Sequence, residues 1–321
     1  MTEVSTGAHV SRETSTFGTT PDSVSRETGG SSAFEQHDET PIATATATAL
    51  RVLGRSGETL PRPTRQRILT VANQKGGVGK TTTAVNIAAA MALHGLRVLV
   101  VDLDPQGNAS TALGIDHHAE IPSVYDLLIE GKNIAEVALA VPEIEGLWCV
   151  PATIDLAGAE IELVSLVARE SRLKRALAEV DHDIDYVLID CPPSLGLLTI
   201  NALVAAEEVL IPIQCEYYAL EGLGQLLRNI ELVKSHLNRD LHVSTILLTM
   251  YDARTRLASQ VADDVRSHFG STVLRTVIPR SVRVSEAPSY GQTVMTYDPA
   301  SSGALCYLDA AREIAERGAA G

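Results

Sequence analysis

Between Lys75 and Lys80 the chain reads KGGVGK, three glycines and two lysines within six residues, and Thr81 and Thr82 follow directly. Glycines at 76, 77 and 79 allow successive backbone N–H groups to turn inward and wrap phosphate oxygens. The positive end of a following helix reinforces such a cradle. Lys80 would then neutralise the outer phosphates and the Thr81 hydroxyl would ligate magnesium, with Val78 and Thr82 completing the phosphate-binding stretch. The chain writes its basic charge as arginine almost everywhere, 21 times against five lysines. Two of those lysines fall here, where a compact ammonium suits a phosphate. A plain strand–helix turn with solvated lysines would not require this order of residues.

Two more segments end in carboxylates. VVDLDPQGNAS carries Asp102 and Asp104, and DYVLIDCPPS carries Asp190. Carboxylates beside a phosphate can orient a water and hold the hydration shell of a metal. Taken singly, a helix N-cap would explain the first pair, and a strand ending in aspartate is common. Their order behind the glycine-rich turn is what joins them.

These residues need a frame. RILTVAN, RVLVVDLD, DYVLID, EVLIPIQ and VSTILLTM are near-continuous aliphatic runs of strand length, separated by helical patterns such as TTTAVNIAAAMALHG. Strands without polar alternation, alternating with helices, predict an α/β doubly wound, mostly parallel sheet covered by helices on both faces. Ligands of such sheets bind outside the carboxyl ends of the strands, where the three segments end.

Hydrophobic residues make up 45% of the 321 and aromatics only 4%, so the core is aliphatic. A net charge of −14 excludes a protein that coats nucleic acid with its whole surface, though not a local basic patch. Cys149, Cys191, Cys215 and Cys306 match no zinc or disulfide spacing, which suits a reducing cytoplasm. No apolar run approaches the roughly 18 residues of a membrane span. Residues 1–66, rich in Ser, Thr, Gly and Glu and without apolar periodicity, read as a disordered tail, which leaves 67–321 as the folded domain.

The additional lysine in KGGVGKT, Lys75, resembles the deviant Walker A motif of the ParA/MinD family of ATPases. The resemblance runs from about Arg67 to Gly318. It implies a P-loop ATPase using ATP and Mg2+, in which Lys75 reaches the partner's phosphates in a homodimer with sandwiched ATP. It further implies that Asp104 positions the attacking water and that Asp190, like a Walker B aspartate, contacts magnesium. LLTMYDARTRLASQV and TVIPRSVRVSEAPSYGQTVMTYDP are similar to segments of chromosomal, Soj-type ParA proteins. There, the segment matching Pro279–Val282 closes over the base, and Ser281 stands where the family usually has Asn. The matching DNA-binding arginines are Arg254 and Arg283, with Arg256, Arg266, Arg275 and Arg280 nearby in sequence. The implied function is slow, partner-stimulated ATP hydrolysis by a dimer that binds double-stranded DNA without sequence preference, with a ParB-type partner and no membrane. A MinD-like membrane ATPase is the alternative, but the final segment is Ala-rich, mixes Glu with Arg and lacks Phe or Trp. An iron-protein-like relative would need cluster-bridging cysteines.

The pentapeptide VSRET occurs at Val10–Thr14 and again at Val24–Thr28. It has no aromatic anchor or helical period, so a cause in the gene fits better than a peptide function. The partner of ParA-type ATPases reads a palindrome resembling GTTTCACGTGAAAC, which translates in one frame as Val-Ser-Arg-Glu-Thr. Two such palindromes near the start of the gene would leave this repeat as a by-product.

Overall fold

The computed structural model describes residues 40–118, 120–180, 183–216 and 219–320. Eight strands form one sheet: β1 (Arg67–Val71), β2 (Val98–Asp102), β3 (Leu139–Ala140), β4 (Leu147–Val150), β5 (Tyr186–Asp190), β6 (Glu208–Gln214), β7 (His242–Tyr251) and β8 (Val273–Pro279). Their order is β3-β4-β2-β5-β1-β6-β7-β8. Every pairing is parallel except that of β3 with β4. The expected sheet is therefore present, with one short antiparallel edge.

Successive residues of a strand face opposite sides, and both sides are dry. Val98 and Val100 of β2 belong to one apolar cluster with the helix Lys80–Leu93 and the final helix Ser302–Ala319; Leu99 and Val101 belong to another. Strands buried on both faces need aliphatic residues at every position, hence the unbroken runs in the sequence. The Lys80–Leu93 helix is buried almost along its length, which its alanines permit by letting it lie close to the sheet.

Register brings the acidic segments together. In the β2–β5 ladder Asp102 sits opposite Asp190, and in the β1–β5 ladder Val71 does so, so the turn after β1 starts beside both carboxylates.

One boundary differs from expectation. The ordered chain does not start at Arg67: residues Pro41–Val52 form a helix capped by the Thr40 hydroxyl, and Val52 and Leu60 are buried in the core. Leu60 N–H donates to the carbonyl of His94 at 3.1 Å, and the His94 ring lies 3.0 Å from the carbonyl of Arg51. Gly54, at φ +67°, lies so close to the Leu93 carbonyl that a Cβ would meet it at 1.9 Å. The alternating threonines hid this helix. Thr46 and Thr48 fold their hydroxyls back onto the carbonyls of Ile42 and Thr44, and only the last turn is buried, so no amphipathic period was written. Residues 1–39, with both VSRET copies, lie outside the described residues.

Candidate nucleotide-binding site

At the carboxyl edge of the sheet, Gly76, Gly77, Gly79, Lys80, Thr81 and Thr82 line a cavity of about 470 Å³. Asp104 and Asn108 come from the segment after β2, and Pro193 from the segment after β5. Gly77 and Gly79 stand at φ +73° and +88°, a left-handed backbone that glycine adopts without a Cβ penalty, and Gly79 opens the Lys80–Leu93 helix. The loop's backbone is therefore fixed for an anion by its glycines and by the helix behind it. Val78 is not among the lining residues. It is buried, and its carbonyl accepts the Thr249 hydroxyl at 2.8 Å, tying the loop to β7.

Charge in the cavity is buried and unbalanced. Lys80 is only 7% exposed, and burial lowers its pKa, an effect opposed by Asp190 and Asp104. Its ammonium meets the Lys75 carbonyl at a long 3.4 Å. Asp190 is wholly buried, and neither of its carboxylate oxygens is held by a well-formed hydrogen bond. Burial, and then the charges of Asp102 and Asp104, push its carboxyl far above the usual range, while the neighbouring Thr81 hydroxyl and Lys80 act the other way. A buried carboxylate so poorly held is costly unless a cation or its waters complete it. The set of Thr81 and Asp190 fits magnesium, and the glycine cradle with Lys80 fits a nucleoside triphosphate.

The two aspartates at the end of β2 and just beyond it part company. The Asp102 carboxylate accepts the Ser110 N–H (2.9 Å), the Ser110 hydroxyl (2.7 Å) and the Asp104 N–H (3.2 Å). Burial pushes it up to about 6, against those three donors. Asp102 holds the segment in place; Asp104 faces the cavity, with Oδ1 accepting only the Gln106 N–H at 3.0 Å.

Lys75 lies outside the cavity lining. Its Nζ donates to Glu216 Oε2 at 2.8 Å, beyond the end of β6, and its N–H donates to the Asn73 side chain at 3.0 Å. Gln214 holds Glu216 from the other side. The lysine stands half-exposed on the rim.

Pro279 and Ser281 are not among the lining residues. That side of the cavity is built by Val284, Ser285 and Pro288, following Ser281 in chain, and by Met250 of β7. Met250 has φ +50°, a strained conformation for a side chain of its size. Sequence reasoning missed Met250; its place in LLTMYD was the available signal.

Arg254 and Arg283 are exposed beyond the carboxyl ends of β7 and β8. Arg254 makes a two-bond pair with Asp252 at 2.9 Å for each bond, which pulls the Asp252 carboxyl down to about 2. Arg283 meets Glu286 at 3.2 Å and Asp298 at 3.3 Å. Arg266 and Arg275 are not part of this group: they line a separate concavity with Arg317 and Glu313 near the start of β8. Sequence proximity misled here because β8 runs from the amino-terminal end of the parallel strands to their carboxyl end. Cys149, Cys191 and Cys215 are buried thiols and Cys306 is partly buried.

A family model described as an AAA domain matches residues 66–243. The sporulation initiation inhibitor protein Soj of Bacillus subtilis is 56% identical over 252 residues, covering 78% of this chain and 99% of that protein. The chain belongs to the ParA/Soj family of P-loop ATPases. The chromosome partitioning protein ParA of Myxococcus xanthus is 52% identical over 251 residues, 78% of this chain and 88% of its own length. Among solved structures, cobyrinic acid a,c-diamide synthase from Mycobacterium smegmatis, with a bound ATP analogue and magnesium, superposes with a TM-score of 0.66. It is 44% identical and covers 78% of this chain and 93% of that one. ATP and magnesium are the cofactors of ParA/Soj ATPases, and the charges that line the cavity suit both. Among the described residues, no helix is long and apolar enough to cross a membrane.

Proposed function

We propose that this ParA/Soj ATPase moves chromosomal or plasmid DNA: Mg-ATP closes two copies face to face, the dimer binds duplex DNA without sequence preference, and slow hydrolysis, accelerated by a ParB-type centromere-binding partner, releases it. The observation that carries this reading is the contrast between the two lysines. Lys80 is buried in its own cavity, whereas Lys75 stands on the rim, its ammonium paired with Glu216 in a half-exposed ion pair. A rim lysine is placed to reach a nucleotide presented by a second copy.

When bound, the nucleotide supplies the scissile phosphoanhydride and magnesium supplies charge that offsets the phosphates. Thr81 and Asp190 would hold the metal. Lys80 and the glycine amides bind the outer phosphates, and Asp104 orients the attacking water. Arg254 and Arg283 contact DNA phosphates, which supply affinity without reading bases. The protein is then associated with the nucleoid. A MinD-like membrane function finds less support, because the Ser302–Ala319 helix turns Ala304, Tyr307, Leu308, Ala311 and Ile314 into the core and leaves little apolar surface for a bilayer.

The test is co-sedimentation with duplex DNA in the presence of ADP, ATP or a non-hydrolysable analogue. DNA binding should need ATP or the analogue and should fall steeply with salt. Equal binding with ADP, or restriction to particular sequences, would sink the proposal.

A further inference from the structure

His117 belongs to none of the motifs read in the sequence, yet it rests on the segment that carries Asp104. The short helix Asn108–Ala112 ends at Leu113, and Gly114, at φ +66°, reverses the chain. Leu113 and Ile115 are buried in the core, and the Ile115 N–H donates to the Ser110 carbonyl at 3.0 Å. Anchors so close to the reversal bring the chain back over the start of that helix, and His117 comes to lie against Gly107.

The contact is tight. Gly107 stands at φ +64°, and a Cβ on it would meet Nδ1 and Cε1 of the His117 ring at 2.8 and 2.9 Å. A residue without a side chain is what lets the ring sit there. The Thr111 hydroxyl donates to the Gly107 carbonyl at 3.0 Å, and His117 Nε2 lies 3.0 Å from the same hydroxyl oxygen. Since the hydroxyl proton is already given to Gly107, the ring is the donor and Nε2 carries the hydrogen. Imidazole, Thr111 hydroxyl and Gly107 carbonyl thus form one chain of hydrogen bonds.

Gly107 closes the turn that starts at Asp104. Its N–H donates to the Asp104 carbonyl at 2.9 Å, and the Gln106 N–H beside it holds Asp104 Oδ1 at 3.0 Å. The direction of the Asp104 carboxylate is therefore set by the backbone of residues 105–107, and His117 clamps that backbone from outside. Thr111, the middle member of the chain, lines the nucleotide cavity, whereas His117 does not. The neighbouring His118 turns to Asp116 instead, at 3.6 Å.

We propose that His117 is a positioning residue for ATP hydrolysis: through Thr111 and Gly107 it fixes the Asp104 turn, and with it the place of the attacking water. This rests on Asp104 being the water-orienting carboxylate. Because the ring stands behind the turn and outside the cavity, its loss acts on the chemical step and spares nucleotide affinity.

The test compares single-turnover hydrolysis of radiolabelled ATP by the full-length wild type, His117→Ala, Asp104→Ala and the double variant. His117→Ala should slow hydrolysis on the order of tenfold, the scale of a slightly misplaced catalytic group, with affinity for a fluorescent ATP analogue and the ATP-dependent dimer unchanged. His117→Gln, whose amide brings an N–H toward the Thr111 oxygen, should restore most of the rate. In the double variant the His117 effect should vanish and leave the Asp104→Ala rate, because a residue that acts through Asp104 has nothing left to position. His118→Ala should match wild type. A His117→Ala protein as fast as wild type, or the same His117 effect with and without Asp104, overturns the proposal. So does a His118→Ala protein as slow as His117→Ala, which would mean a disturbance of the whole loop. Lost analogue binding or a weakened dimer in His117→Ala overturns it too, by placing the residue in the pocket or at the subunit contact. Wild-type hydrolysis in Asp104→Ala would instead sink the water-orienting role of Asp104 itself, whereas a slow Asp104→Ala beside a normal His117→Ala sinks the role of His117 alone.

Discussion

The nucleotide cavity and the exposed arginines proposed to meet DNA use charge in opposite ways. In the cavity Lys80 and Asp190 are buried, and neither Asp190 oxygen is held by a well-formed hydrogen bond. On the exposed loops Arg254 and Arg283 already hold Asp252, Glu286 and Asp298. A phosphate that comes to these arginines exchanges one carboxylate partner for another anion, in high dielectric, with little net gain per contact. Buried, unmatched charge makes a tight and specific site. Exposed, matched charge makes a weak and reversible one, which suits an activity that has to let go of DNA.

Removing charge from the buried region should do the most damage. Lys80→Ala is expected to lower ATP affinity at least about a hundredfold, since a desolvated, charge-assisted contact is lost. Fluorescent ATP-analogue titration measures it, and a drop below tenfold would mean that the glycine amides carry the phosphates alone. Next, Asp104→Ala should keep analogue affinity within a few-fold and slow hydrolysis about 10²- to 10³-fold, the range for a lost proton-handling group. Asp102→Ala would behave differently, because it leaves three buried donors without their acceptor: expect a lower melting temperature before any selective kinetic defect.

The exposed region should respond more gently. Arg254→Glu and Arg283→Glu should each weaken duplex binding by about ten- to a hundredfold, leave analogue binding unchanged, and reduce the slope of log affinity against log salt by about one phosphate contact. A variant that loses analogue binding as well would erase the distinction between the two regions. The smallest effect belongs to the rim. Glu216→Ala frees Lys75, and because the pair is exposed the ATP-dependent dimer should tighten by no more than about fivefold, in keeping with the ~0.2–1 kcal/mol of such pairs. Light scattering with ATP measures this, and a weakened dimer would show that Glu216 positions Lys75 instead of detaining it.

The glycine cradle, Lys80, Thr81 and the aspartate-ended strands were legible in the sequence because each depends on its neighbours in chain: glycines for left-handed backbone, a helix just behind, aliphatics at every strand position. The parallel sheet was legible for the same reason. The Pro41–Val52 helix was not, since its threonines satisfy their own backbone and only its last turn meets the core.

By itself, then, the sequence determined the sheet, the phosphate loop and the set of residues able to serve it. Tertiary structure decided which member of that set does what. Register placed Asp102 against Asp190, and Ser110 and the Asp104 N–H claimed its oxygens, leaving the Asp104 side chain for the cavity. Glu216, 141 residues from Lys75, decided that this lysine faces the rim. Val284, Ser285, Pro288 and Met250 became the far wall in place of Pro279 and Ser281, and Arg275 was carried away from Arg283 by the length of β8. Each of these outcomes is a competition for one partner among groups distant in chain, and only the folded chain sets the distances that settle it.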